Sequence, residues 1–185
     1  EFNIPGITFG GRYDGSPIIV ADGAPLKTVQ DVVARAKAQP GQLTIGTIAD
    51  TLSAGLDSGS VTALAARLLA GTGASLSAYT AVPRFPEAAV GMPQALADEW
   101  PLARSVAARW HVPHHAVRAE HPTTVEAIDR SLWVHDEPEY AAGNLHWIFA
   151  LLDAVKRDAA DVVITGQMGN GGVSWSGDRQ RIRRL

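Results

Sequence analysis

The apolar positions along the chain change period several times, and each change marks an element. Between Ser16-Pro17 and Asp22-Gly23, the branched run Ile18-Ile19-Val20-Ala21 reads as a strand, while the rest of residues 1–25 is rich in glycine and proline and has no period. From Thr28 onward Val29, Val32, Val33 and Ala36 fall on one helical face. Thr28 and Asp31 have the spacing of a capping box, and Pro40-Gly41 ends the helix. A short strand over 43–47 leads to a stretch of small and polar residues at 50–59. The helix predicted next, over 60–70, has the clearest stripe in the chain, Val61, Leu64, Ala65, Leu68 and Leu69, with Gly71 where a C-terminal glycine belongs.

The second half continues the alternation. A strand over 76–82, a proline-punctuated loop over 83–93, a helix over 101–110 and a strand over 115–119 are followed by two helices. The first starts at Thr123 with Val125, Ile128, Leu132 and Trp133 on one face; the second carries Leu145, Ile148, Phe149, Leu152 and Val155. Val162-Val163-Ile164 then reads as a strand running straight into Gly166, Gly169, Gly171 and Gly172. This order predicts an α/β fold, a mostly parallel sheet with helices on both faces. Ligands of such sheets bind beyond the carboxyl ends of the strands, which directs attention to loops 50–59, 83–93 and 165–178.

Composition narrows the chemistry. At 185 residues and 46% hydrophobic, the chain has the size and apolar content of one globular domain. Sixteen basic against 19 acidic residues give a net charge of −3, which supports neither a nucleic-acid clamp nor a polybasic membrane anchor. With no cysteine, disulfides, thiolate zinc sites and cysteine nucleophiles are excluded. No apolar run reaches the roughly 18 residues of a membrane span, and no G-x-S-x-G elbow occurs. His111, His114 and His115 are close in sequence, but neighbouring strand residues point to opposite faces, so the three do not readily meet at one metal ion. Asp98 and Glu99 precede Pro101 and read as helix-start carboxylates: adjacent helical positions diverge by about 100° and do not share a site.

The segment from Leu52 to Ser60 lies between a predicted strand and the strongest helix, the usual place of a phosphate-binding loop. Small residues admit backbone N–H groups to an anion, the helix start adds partial positive charge, and Ser53, Ser58 and Ser60 offer hydroxyls. Asp57 would repel a bare phosphate but suits a magnesium ion bridging carboxylate and pyrophosphate oxygens. The same residues also read as a plain helix cap. No lysine of the G-x-x-x-x-G-K-S/T motif is present.

These residues resemble a known family. Ser53 to Ser58 is similar to the S-G-G-x-D-S pyrophosphate loop of asparagine synthetases, beta-lactam synthetases and lasso-peptide cyclases. Tyr79-Thr80-Ala81-Val82-Pro83 resembles the family's adenine-side strand. Asp98-Glu99 with Ala103 and Val106-Ala107 resembles its D-E-x-x-x-A-x-x-V-A helix, and His114-His115 its histidine-containing strand. Val162 to Gly172 resembles its second glycine-rich loop. The resemblance covers roughly residues 50–178 and implies an adenine nucleotide alpha-hydrolase-like fold with ATP and Mg2+ as cofactors. It further implies carboxylate adenylation with pyrophosphate release, then amide formation. ATP and pyrophosphate would meet Ser53, Ala54, Gly55, Leu56, Asp57, Ser58, Tyr79, Thr80, Gly166, Gln167, Gly169 and Asn170, with Asp57 as the metal ligand; no catalytic acid or base is assigned. Two departures stand out: Ala54 replaces a glycine, and Asn170 stands where synthetases usually carry aspartate. The second removes a charged magnesium ligand and lowers the expected ion affinity.

The organisation expected is an N-terminal strand-helix-strand segment over 1–48, a synthetase-like domain over 49–178, expected to be incomplete, and a basic tail over 179–185. Residues 1–48 are similar instead to periplasmic solute receptors of tripartite tricarboxylate transporters, which gives the alternative, a non-catalytic solute-binding module. The expected partners are a small-molecule or peptide carboxylate substrate and a separate glutaminase or partner chain, with no nucleic acid and no membrane. The synthetase reading implies the cytoplasm; the receptor resemblance implies the periplasm. The two readings differ in layout: the first needs loops 50–59 and 165–178 side by side at one sheet edge, the second needs them apart.

Overall fold

The computed structural model describes residues 2–3, 18–21, 26, 28–49, 56–85, 98–137 and 142–166. Its strands are β1 (Phe2–Asn3), β2 (Ile18–Ala21), β3 (Thr44–Ala49), β4 (Ser75–Val82), β5 (His114–Arg118) and β6 (Val162–Thr165). Its helices are α1 (Val29–Ala38), α2 (Leu56–Leu69), α3 (Trp100–Arg109), α4 (Thr124–His135) and α5 (Leu145–Arg157), with a 3-10 turn at Ala142–Asn144. One six-stranded sheet has the order β1-β2-β6-β3-β4-β5. The strands β6, β3, β4 and β5 are parallel, and β2 and then β1 continue the sheet antiparallel beyond β6.

The caps explain where the helices begin. At α1 the Asp31 N–H donates to Thr28 Oγ1 (3.1 Å) and the Thr28 N–H to Asp31 Oδ2 (2.8 Å), which satisfies two orphan donors reciprocally. Thr123 and Glu126 do the same for α4. Gly71, at φ +77°, takes the left-handed turn that ends α2.

The chain winds outward from β3 through α2, β4, α3 and β5, then returns through α4 and α5 to β6 on the other side of β3. Right-handed crossovers therefore place the two groups of helices on opposite faces. On one face Val32 and Ala36 of α1 and Ala65 and Leu69 of α2 cover Ile45, Val162 and Ile164, and Ala107 of α3 covers Ala78. On the other Phe149, Leu152 and Val155 of α5 cover Tyr79, Ala81 and Val163. The strands of the N-terminal segment thus share a sheet with the later ones, and α1 shares a core with α2 and β6.

Two helices are oriented differently from their sequence stripes. In α2 Leu64 and Leu68 are exposed, and the buried side is Asp57, Ser58, Thr62, Ala65 and Leu69. In α4 Val125 and Trp133 are 68% and 78% exposed, and Ala127 and Ser131 face inward. The cause lies in α5: the Arg130 guanidinium sits 4.3 Å from the Phe149 ring centre and forms two hydrogen bonds to Asp153, so the small Ala127-Ser131 side takes the contact.

Gly46 has a steric reason. A Cβ there would lie 3.1 Å from Val155 Cγ1 and 3.3 Å from Tyr79 Cε2, so β3 accepts α5 only where the strand lacks a side chain. Gly46→Ala is expected to destabilise the fold by about 1–3 kcal/mol through overpacking. Adding Val155→Ala should recover part of that loss, which urea unfolding of the double-mutant cycle will show.

Candidate functional site

The topology alone selects one place. Between β3 and β6 the winding direction reverses, and a crevice opens at the carboxyl ends of strands where a parallel sheet reverses. The opposite edge is closed by short clasps: the Thr44 N–H donates to Asp161 Oδ2 (2.8 Å), and the Asp161 N–H to Thr44 O (2.9 Å).

At the carboxyl edge β6 ends in Thr165-Gly166 and α2 begins at Leu56. Gly166 lies flat against that beginning. A Cβ on it would be 2.5 Å from Ser58 N, 2.7 Å from Ser58 Cα and 3.0 Å from Asp57 C. The helix starts four residues earlier than its stripe predicts, so Leu56 to Gly59 form its first turn and are not a free loop. The Ser58 backbone nitrogen accordingly lies in a helical turn against Gly166, a correction to the loop expected over 50–59 from the sequence. Asp57 and Ser58 are each 2% exposed, and Leu56 is 57% exposed. Thr62 Oγ1 donates to Ser58 O at 2.9 Å, adding a side-chain tie to the first turn.

Thr80 is brought to the same region. It is buried on the α2–α3 face of β4, and its hydroxyl lies 2.9 Å from His114 Nε2 on β5. The His114 ring stacks on Trp100 of α3, with centroids 4.2 Å apart. Tyr79, the next residue on β4, points into the opposite layer, where its hydroxyl donates to Asp158 Oδ2 at 2.8 Å and its ring stacks on His115. Burial, then the hydrogen bond to Asp158, pushes the phenol up to about 12. The Tyr79 side chain is thus a core group, and only its backbone faces the α2 side. The two histidines diverge as strand alternation requires, and among the described residues no three His, Cys, Asp or Glu side chains form a metal group.

The two acidic residues directly precede α3. Asp98 Oδ1 accepts from the Trp100 N–H at 3.0 Å, as a helix-start carboxylate should. Glu99 occupies the N-cap position without a side-chain capping bond and is 5% exposed, a burial that its adjacent-acid reading did not foresee. Arg118 at the end of β5 donates to the carbonyls of Pro83 (3.1 Å) and Arg84 (3.3 Å), holding the chain where it leaves β4. Sequence reasoning also missed the buried Thr165; its only signal was its place between an apolar strand and a glycine. Ser53, Ala54, Gly55, Gln167, Gly169 and Asn170 lie outside the described residues.

What the arrangement offers is a helix N-terminus carrying a buried carboxylate and a buried hydroxyl, held against a glycine that ends the adjoining strand. Positive helix-end charge favours an anion there, and a carboxylate oxygen is a hard ligand suited to magnesium. Residues 57–58 and 166 are side by side at one sheet edge.

Two outcomes follow. Gly166→Ala forces a methyl into backbone atoms that cannot rotate away, and is expected to cost about 1–3 kcal/mol and to shift the start of α2; thermal unfolding and amide exchange at Asp57 and Ser58 report both. His114 is pulled down to about 4, chiefly by burial and further by His115 and Arg104. Its folded-state value lies below the unfolded 6.5, so the unfolded chain binds more protons between the two. Its stabilising contribution is therefore complete above about pH 6.5 and falls as pH drops toward 4. His114→Gln should flatten the fall in unfolding midpoint across that window.

Comparison with known proteins agrees with this geometry. No individually curated protein matches the chain. The family described as asparagine synthase matches residues 46–173, from the middle of β3 past Gly166, a span that includes Asp57, Ser58, Thr80 and His114. Among the described residues no helix is long and apolar enough to cross a membrane. The chain belongs to the asparagine synthase family, whose domains use ATP.

Proposed function

We propose that this domain is an ATP-dependent, amide-forming synthetase that activates a carboxylate by adenylation. The observation that carries the reading is the seating of Gly166 on the backbone of Asp57 and Ser58, which joins the ends of two loops at the switch point of a parallel sheet. In the reaction proposed, a carboxylate oxygen of the substrate bonds to the α-phosphorus of ATP as the bond to pyrophosphate breaks. An amine nitrogen then bonds to the acyl carbon, AMP departs with the electron pair, and the amine loses a proton.

The residues support the first step by electrostatics. In this reading the positive end of the α2 dipole favours the negative charge of the triphosphate, and Asp57, in the first turn, would supply a carboxylate oxygen to a magnesium ion. Magnesium bound to the triphosphate would neutralise charge on the departing pyrophosphate. Ser53 to Gly55 and Gln167 to Asn170 enter the proposal through their sequence pattern. The amine is ammonia or a second amine substrate, delivered from solution or by a partner chain. Asn170 in place of aspartate points to weaker ion binding than in a typical synthetase.

Calorimetry of ATP binding with and without magnesium tests the reading. Binding should depend on magnesium, and Asp57→Asn should weaken it about ten- to a hundredfold, the usual loss of a charge-assisted contact. Equal affinity in the variant, or no binding by the parent chain at any nucleotide concentration, overturns it.

A further inference from the structure

A small cavity of about 20 Å3 lies between α2, β4, α3 and β5. Its walls are mostly apolar, supplied by Ala78, Ala103, Val106 and Ala107, but Ser58 and His114 also line it. Ser58 Oγ and His114 Nδ1 are both buried, and neither has a hydrogen-bond partner among the described residues. Two orphaned polar atoms beside one small void are costly unless something joins them, since each carries the full penalty of desolvation. A void of this volume exceeds the roughly 10–15 Å3 that one water needs. The ring cannot swing away to find solvent, because Trp100 stacks on one of its faces and Thr80 engages its Nε2.

We propose that His114 is a positioning residue for the nucleotide site: through one water in this cavity, its Nδ1 orients the Ser58 hydroxyl at the start of α2. The ring is neutral near pH 7, so one nitrogen donates and the other accepts, and a relay from Thr80 through His114 and water to Ser58 is complete in either tautomer. In this way β4 and β5, through Thr80 and His114, fix a hydroxyl that stands beside Asp57. The functional part of the inference rests on the nucleotide reading above; the coupling of Ser58 to His114 does not.

Two measurements on the full chain separate the parts. In nucleotide-free protein, the 15N shift of His114 Nδ1 should move in Ser58→Ala and stay put in Ser105→Ala, an exposed α3 serine; an unmoved shift in Ser58→Ala overturns the coupling. For magnesium-ATP affinity the two amides are decisive, since asparagine places a polar atom near the Nδ1 position and glutamine one near Nε2. His114→Asn should stay within about threefold of the parent, whereas His114→Gln should weaken binding about tenfold, and Ser58→Ala with His114→Gln should lose no more than the worse single variant. The reverse order, with glutamine tolerated and asparagine not, would show that the ring only supports Thr80. Absence of binding by the parent chain with an intact shift response would overturn the nucleotide reading and leave the coupling standing.

Discussion

Everything at the carboxyl edge is organised by a contact in which backbone meets backbone. Where Gly166 leaves β6, no atom of a side chain fits between it and the first turn of α2, so strand and helix approach as closely as main chains can. That closeness needs β6 beside β3, and β6 sits there because the chain returns behind the sheet through α4 and α5. It also needs a narrow helix face. Asp57, Ser58 and Thr62 are small, and their burial lets α2 lie low over the sheet where larger residues would lift it.

The buried polar residues follow from the same constraint. A helix whose first turn is sheltered by a neighbouring strand has N–H groups that water reaches poorly, and such groups need local partners or a ligand. Thr62 ties to the Ser58 carbonyl, Thr80 ties to His114, and Trp100 covers the imidazole. These are supports on strands and helices, and they hold the buried side chains around the start of α2 in fixed positions.

Much of this was legible in the sequence. The strand at Ile18–Ala21, the capped helix after Thr28, Gly71 as a helix stop and the α5 stripe are set by short-range signals, and alternation of strands and helices gave the layer plan. What failed were the faces of α2 and α4. Periodicity ranks residues by hydrophobicity, but here close approach selected small residues, and Leu64, Leu68, Val125 and Trp133 were left outward. The early start of α2 was hidden for a related reason: Leu56 to Gly59 mix polar and small residues that read as loop until a strand end is laid against them. Of the expected nucleotide contacts, Asp57, Ser58, Thr80 and Gly166 gather in one region, while Tyr79 turns its ring into the other layer. Alternation along β4 could have separated Tyr79 from Thr80 in advance.

The short antiparallel addition at one end of the sheet bears on how copies of this chain meet. With β2 laid beside β6, the parallel strands have no free edge on that side, and the border among the described residues passes to β1, Phe2–Asn3. The other border is β5, five residues that include two histidines and an arginine already engaged with the β4 exit. Among the described residues both borders are short, and β5 carries the Arg118 guanidinium, a charge of the kind that blunts a sheet edge. Short, charged borders of this kind disfavour edge-to-edge pairing with a further strand.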